Sequence, residues 1–392
     1  MYELEIISEP NIAPVSQVPQ NFGLLYSASK SQSDVLCDGF GRIHNYLRIS
    51  LVERCNLRCN YCMPEEDLDW TSPEDLLTDE EIIRIAKLFV EQGVTKIRLT
   101  GGEPLLRTNI EYIAKKLGSL PGLKTLAITT NGLLLKRKLP ALQSAGINLL
   151  NISLDTLRPN RFKEITRRDG LNLVLDAIDF AIEAGYSPVK INCVIMRGIN
   201  EDEIIDFVEL TRNKPVEVRF IEFMPFDGNR WNENRLVPHV EMLNRICRVY
   251  PIEILEFGRN ETAKMYRVPG FLGQIGMITS MTDDFCEGCN RLRITADGHL
   301  KVCLFGRAEV NLQNAMRNGV SDENLLDLIS TAVGSKHARH AGMHLIATSK
   351  NRPMITIGGQ YAQFAFDLFT RSGTSIPYND HSYVVQYSLR QP

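Results

Sequence analysis

The sequence predicts an α/β protein built around a parallel sheet, and three observations carry that reading. Between Tyr46 and Glu222 six short apolar runs alternate with stretches of helical length and helical periodicity. Parallel strands need crossovers of about that length. Polar, glycine-containing segments follow one strand after another, where parallel sheets collect functional groups. Six units are fewer than the eight of a closed barrel. Periodicity alone leaves a barrel-like and a doubly wound sheet both open.

The elements follow in order. Tyr46–Val52 reads as a strand. Asp79–Gln92 reads as a helix with Ile82, Ile83, Ala86, Phe89 and Val90 on one face, opened by Thr78-Asp-Glu-Glu81 at the spacing of a capping box. Strand Lys96–Thr100, helix Ile110–Leu117, strand Thr125–Thr129, helix Leu139–Ala145 and strand Asn148–Ser153 come next. Helix Leu173–Ala184, strand Val189–Ile195, helix Glu201–Thr211 and strand Val216–Glu222 complete the series. After Pro225 the rhythm changes: Gly, Asn and Pro punctuate Phe226–Pro238, one helix is expected near Val240–Val249, and a boundary is placed near residue 230. The expected organisation is a lead-in over 1–40, the β/α region over 41–229, a C-terminal region over 230–359 and an atypical tail over 360–392.

Composition narrows the function classes. With 44% hydrophobic and 23% charged residues the chain has enough apolar content to bury a core. A net charge of −3 argues against a nucleic-acid polymer as partner. No apolar run approaches the roughly 18 residues that span a bilayer as a helix. The first basic residue is Lys30, whereas Glu3, Glu5 and Glu9 come early, so no basic presequence is visible.

Six of the nine cysteines fall into two groups, Cys55-x3-Cys59-x2-Cys62 and Cys286-x2-Cys289-x13-Cys303. Such clustering in a large chain reads as metal binding in a reducing compartment. Each group offers three thiolates and no fourth. Zinc would want a further ligand, for which His44 is remote from the first group and His299 stands close to the second. An iron–sulfur cubane held by three cysteines keeps one iron open to another ligand. Asn290-Arg291-Leu292-Arg293 follows the second pair, and planar guanidiniums grip phosphate oxygens bidentately.

These residues carry a resemblance. The first cysteine loop, with Tyr61 before Cys62, and the Gly101-Gly102-Glu103-Pro104 turn after the next strand resemble the radical S-adenosylmethionine (SAM) superfamily. With the second cysteine group and its arginines, the chain from about Gly39 to Gly359 resembles the GTP 3′,8-cyclase family of molybdenum-cofactor biosynthesis, in wording most like the animal form. Arg219-Phe-Ile-Glu-Phe-Met-Pro225 and Ile355-Thr-Ile-Gly-Gly359 add to the match.

The resemblance implies an incomplete TIM-type β/α barrel of about six βα units, with a C-terminal region carrying a second iron–sulfur cluster. It implies two 4Fe–4S clusters, on Cys55, Cys59 and Cys62 and on Cys286, Cys289 and Cys303. SAM would meet Tyr61, Gly102, Ser153 and Met224. Cleavage of SAM would give a 5′-deoxyadenosyl radical that takes the ribose 3′ hydrogen of GTP, after which C3′ attacks C8. GTP would meet Arg48, Arg98, Thr129, Lys190, Arg291, Arg293 and the backbone of Leu292. No residue is assigned as a catalytic acid or base. An electron donor, a functional link to cyclic pyranopterin monophosphate synthase and a homodimer are implied as partners. So is a mitochondrial matrix location, against the cytoplasm that the absent presequence would suggest. Rival readings are another radical SAM enzyme with an auxiliary cluster, and a zinc-stabilised nucleotide-binding protein without catalysis. The family's chain ends at a Gly-Gly pair, whereas here Gly358-Gly359 continues into an aromatic-rich stretch. That tail would pack on the protein, join a partner or be an out-of-family end, and is expected to lower cyclase activity.

Overall fold

The computed structural model describes residues 35–355 except 64–69, 228, 230, 257, 259, 350, 351 and 353. The expected tail, Gly358-Gly359 and most of the lead-in lie outside the described residues.

The six expected strands form in order: β1 (Tyr46–Ser50), β2 (Lys96–Thr100), β3 (Thr125–Thr130), β4 (Leu149–Ser153), β5 (Val189–Ile195) and β6 (Val216–Glu222). Between them run α1 (Asp79–Glu91), α2 (Ile110–Gly118), α3 (Leu135–Ser144), α4 (Pro159–Thr166), α5 (Leu171–Glu183) and α6 (Ile204–Leu210). The capping box at α1 is present, with Thr78 Oγ1 accepting from Glu81 N and Glu81 Oε2 from Thr78 N. Helix α3 starts four residues before the expected Leu139, because Leu135, Leu139 and Leu142 make one buried stripe and Pro140 faces solvent. The expected helix Glu201–Thr211 begins as a tighter 3₁₀ turn over Glu201–Glu203. Helix α4 had no counterpart in the sequence reading. It is short, and only Phe162, Ile165 and Thr166 are buried.

Beyond residue 230 come α7 (His239–Cys247), β7 (Glu253–Ile254), β8 (Ala263–Arg267), β9 (Gln274–Ile278), β10 (Arg291–Ile294), β11 (His299–Lys301), β12 (Glu309–Asn311), α8 (Leu312–Arg317), α9 (Asp322–Gly334) and α10 (Met343–Thr348). These strands do not make a sheet of their own. The order is β12-β11-β10-β1-β2-β3-β4-β5-β6-β9-β8-β7. β10 runs parallel to β1, and β9 parallel to β6, so both edges of the six-stranded unit are covered by the C-terminal region. The consecutive order of β1 to β6 has no switch point, which excludes the doubly wound alternative and gives the incomplete TIM-type barrel. Among the described residues β9 and β10 do not pair, so the barrel stays open. No described helix is long and apolar enough to cross a membrane.

Side chains alternate across a strand, and here the two faces differ sharply. Leu47, Ile49, Ile97, Leu99, Ile128, Leu150, Ile191, Val218, Ile275 and Leu292 belong to the main apolar core. The intervening positions are Tyr46, Arg48, Lys96, Arg98, Asn151, Lys190, Asn192, Arg219, Arg291 and Arg293, and these line one cavity. A TIM-type lumen is usually filled by branched apolar residues. This one is polar and hollow, which makes it a site rather than a core.

Candidate active site

The first cysteine group follows β1, at the C-terminal end of the barrel strands. Its loop is seated on the end of the unforeseen helix α4, with Arg58 N bonded to Thr166 O and Asn60 N to Ile165 O, each at 2.9 Å. Cys62 N and Met63 N both return to Cys59 O, turning the chain tightly between the last two cysteines. The Gly101-Gly102 turn locks to the same loop: Gly102 N donates to Val52 O at 2.7 Å and Glu103 N to Arg54 O at 2.8 Å. Gly101 sits at φ +148°, where a Cβ would lie 2.6 Å from Val52 O, so glycine is required there. Buried Glu103 accepts from Leu105 N, Thr130 Oγ1 and Asn131 N. Burial raises its carboxyl to about 7 against those donors. Tyr61 Oη donates to Asp155 Oδ2 at 2.7 Å, while Val194 N donates to Asp155 Oδ1. Burial raises Asp155 to about 6.

The second group lies at the other end of the barrel. Cys286 and Cys289 precede β10, and β10 is parallel to β1, so they approach the N-terminal ends of the barrel strands. β11 runs back antiparallel and delivers Cys303 to the same end. The rule that function gathers at strand C-termini found the first group and misplaces the second. Cys286, Cys289 and Cys303 all line the cavity, which measures about 410 Å³.

The spacing of the first group suits a cluster better than a single ion. A tetrahedral zinc with Zn–S bonds of about 2.3 Å would draw its sulfurs to within roughly 4 Å of one another. Among the described residues, neither group has three sulfurs mutually within 4.8 Å. Burial, followed by the neighbouring thiols, pushes Cys59 well up, and burial pushes Cys62 up with Cys55 adding to it. A bound cationic cluster inverts that preference by stabilising thiolates. His299 pairs with Asp297 at 3.1 Å and does not line the cavity. A compact trio the sequence did not suggest is Asp284, Cys286 and His340, whose ligand atoms lie within 4.8 Å of one another. The His340 Nδ1 accepts from Gly342 N, and its Nε2 is buried without a partner.

Between the two groups the lumen is strongly cationic. Register places Arg48 beside both Arg98 and Arg293. Lys96, Lys190, Arg219 and Arg291 bring the cations on the cavity to seven, against the carboxylates of Glu261 and Asp284. Glu217 pairs with Lys190 at 2.9 Å and with Arg219. Arg48 Nε and Arg291 Nη1 are buried and unpartnered. Burial, then repulsion from Arg48, brings Arg293 down to about 9. The Tyr46 phenol accepts from Arg98 Nε at 2.5 Å. Burial would raise it, but Arg98, Arg48 and Lys96 outweigh that and bring it down to about 7. Like charges crowded into a buried space, with orphaned donors, call for a polyanion.

Of the residues expected to meet nucleotide, Arg48, Arg98, Lys190, Arg291 and Arg293 line this cavity, and Thr129 Oγ1 accepts from Arg98 Nη1 at 3.1 Å. Leu292 directs its side chain into the apolar core, leaving only its backbone. Met224 lines the cavity, while Tyr61, Gly102 and Ser153 lie outside its lining, near the first group or on β4. Tyr46, Lys96, Asn151, Asn192 and Arg219 were missed. The signal that would have found them is period-two alternation of polar with apolar residues in every strand.

A radical SAM superfamily model matches residues 49–211, and a Molybdenum Cofactor Synthesis C model matches 216–342. The chain is 58% identical over 328 residues to "GTP 3′,8-cyclase, mitochondrial" of Arabidopsis thaliana, covering 83% of this chain and 84% of the relative. The GTP 3′,8-cyclase of Syntrophomonas wolfei is 44% identical and covered over 100% of its length. The chain belongs to the GTP 3′,8-cyclase family. Molybdenum cofactor biosynthesis protein 1 of Mus musculus is 58% identical over 83% of this chain, and the match covers 51% of that protein. The chain therefore spans about half the length of such animal relatives. The crystal structure of Streptococcus suis SuiB bound to S-adenosylmethionine shares the fold, at TM-score 0.50 and 17% identity over 81% of this chain and 72% of that one. Membership of the radical SAM superfamily brings one 4Fe–4S cluster and SAM. The chain is an enzyme of the family's type.

Proposed function

We infer that the chain converts GTP into 3′,8-cyclo-7,8-dihydroguanosine 5′-triphosphate, the first step of molybdenum-cofactor biosynthesis. The observation that carries the reading is the cationic lumen between two cysteine cages at opposite ends of one barrel. The ribose 3′ hydrogen would leave to the SAM-derived radical, a C3′–C8 bond would close, and the purine would gain one electron from the electron donor and one proton, with the triphosphate left intact. The seven lumen cations therefore act by holding and orienting the nucleotide. Arg48 and Arg291, with orphaned donors, and the adjacent Arg98 and Arg293 suit phosphate oxygens. Cys55, Cys59 and Cys62 would hold the first cluster, with SAM against Tyr61, Gly102, Ser153 and Met224; that pair supplies radical chemistry when bound. Cys286, Cys289 and Cys303 would hold a second cluster facing the guanine end of the cavity.

An electron donor, a product consumer of the cyclic pyranopterin monophosphate synthase type and a homodimer belong to the same proposal. The mitochondrial name of the plant relative favours that compartment. Anaerobic reconstitution with iron, sulfide, SAM and GTP, followed by product identification, tests the function. Cys59→Ser should abolish SAM cleavage, while Cys289→Ser should chiefly remove GTP turnover. Retained cyclase activity in either variant would refute the assignment. The compact Asp284, Cys286 and His340 trio favours one competing reading, a single ion at the second cage. Metal analysis separates them: about eight irons per chain mark two cubanes, and about four irons plus one other metal mark the single ion.

A further inference from the structure

The second cysteine cage rests on a buried polar chain that neither its thiols nor the lumen arginines explain. Lys336 follows α9 and is buried. Its ammonium has three N–H bonds and three acceptors: His44 Nε2 at 2.8 Å, Cys289 Sγ at 3.3 Å and the Arg291 carbonyl at 3.3 Å. His44 is held in the accepting tautomer, because its Nδ1 lies 3.1 Å from the Leu36 carbonyl and must donate there. Arg42 fastens the surroundings. Its guanidinium donates to the Cys286 carbonyl at 2.8 Å and to the His337 carbonyl at 2.7 Å, and its Nε to Asp38 at 2.6 Å. One side chain thus ties the cysteine turn to the segment carrying Lys336.

Charge is what makes Lys336 unusual. A buried ammonium requires a countercharge. Among the described residues no carboxylate forms an ion pair with it, and its ammonium lies 3.3 Å from the Cys289 sulfur. The second cage, through the Cys289 sulfur, is the group placed to serve as its countercharge. From that arrangement we propose that Lys336 is a positioning residue for the second cluster, donating a hydrogen bond to the Cys289 sulfur and making the cluster easier to reduce. The inference rests on the two-cluster reading above. Reduction adds one negative charge to a cluster, and a fixed cation or N–H···S donor beside its sulfur favours the reduced form.

The test is a redox titration of the full chain, reconstituted anaerobically, with sodium dithionite as the one-electron donor and electron paramagnetic resonance as the readout. The signal missing from Cys289→Ser identifies the second cluster. If no signal is lost and the native chain holds about four irons, the two-cluster reading itself has failed. With eight irons present, Lys336→Met should shift the second signal to lower potential while leaving the first unmoved. At the potential that half-reduces the native cluster, the reduced-to-oxidised ratio should fall about tenfold, equivalent to 59 mV for one electron. Lys336→Arg keeps the cation and should restore most of the shift. An unshifted midpoint in Lys336→Met at full iron content overturns the proposal. So does a loss of the second cluster that Lys336→Arg fails to reverse, since that is a packing defect rather than an electrostatic one.

Discussion

Arg293 shows how little a single residue's identity means before its neighbours are known. It is buried, lies beside Arg48 in register across β1 and β10, and faces a cavity rather than a carboxylate. Losing one charged contact to a phosphate typically costs about 1.5–3 kcal/mol. Arg293→Ala should therefore weaken GTP binding by roughly ten- to a hundredfold, as read by calorimetry; native affinity would remove it from the site. Tyr46 provides a pH signature. Its phenol, brought down to about 7, is neutral in acid and becomes phenolate as pH rises through 7. The phenolate cancels part of the cationic field that holds the triphosphate. GTP affinity should fall between pH 6 and 8 more steeply in the native protein than in Tyr46→Phe. Parallel pH profiles for the two proteins would show that the phenol plays no part.

Single elements are held by a few connections whose strength the geometry sets. The turn after β2 depends on Gly101, where a Cβ would clash with the Val52 carbonyl. Gly101→Ala should destabilise the fold by about 1–3 kcal/mol in chemical denaturation and loosen the first cysteine loop. An unchanged midpoint would mean the turn relaxes without loss. On the apolar side of β6, Phe220 is fully buried and meets the edge of the Phe207 ring at 6.2 Å between centroids. Phe220→Ala should cost about 3–5 kcal/mol and leave the lumen chemistry intact in the surviving folded protein. Comparing unfolding free energy with turnover per folded molecule distinguishes that from a site defect.

At the scale of the whole molecule, the C-terminal region completes the barrel instead of standing beside it. β9 and β10 cover β6 and β1, and Glu222 at the end of β6 accepts from Met281 N, Thr282 N and His239 N. A chain cut after Pro225 would expose two barrel edges and lose Arg291 and Arg293 together. Exposed edges invite strand pairing between molecules. That fragment should aggregate, or fail to unfold cooperatively, even though it contains the whole radical SAM match. A monomeric fragment with native-like cooperativity would show that the two regions fold separately.

By itself the sequence determined the strand count of the barrel unit, its helices apart from α4, the two cysteine groups and their family. Strong period-two and 3.6-residue patterns and fixed cysteine spacing are local signals, readable along one strand or loop. Helix α4 escaped because eight residues with few buried side chains carry little periodicity. The lumen residues Tyr46, Lys96 and Arg219 escaped because each lies in a different strand, where a single polar side chain looks like a solvated one. Periodicity did not separate barrel from doubly wound sheet, since both share the same local pattern and differ in strand order; the resemblance implied the barrel, and the strand order bears it out. The tertiary structure alone placed the second cysteine group at the opposite end from the first, because that depends on β10 running parallel to β1 across a separation of more than two hundred residues. Pairing over such a distance is set by which edges remain to be covered, a property of the assembled sheet and of no single segment.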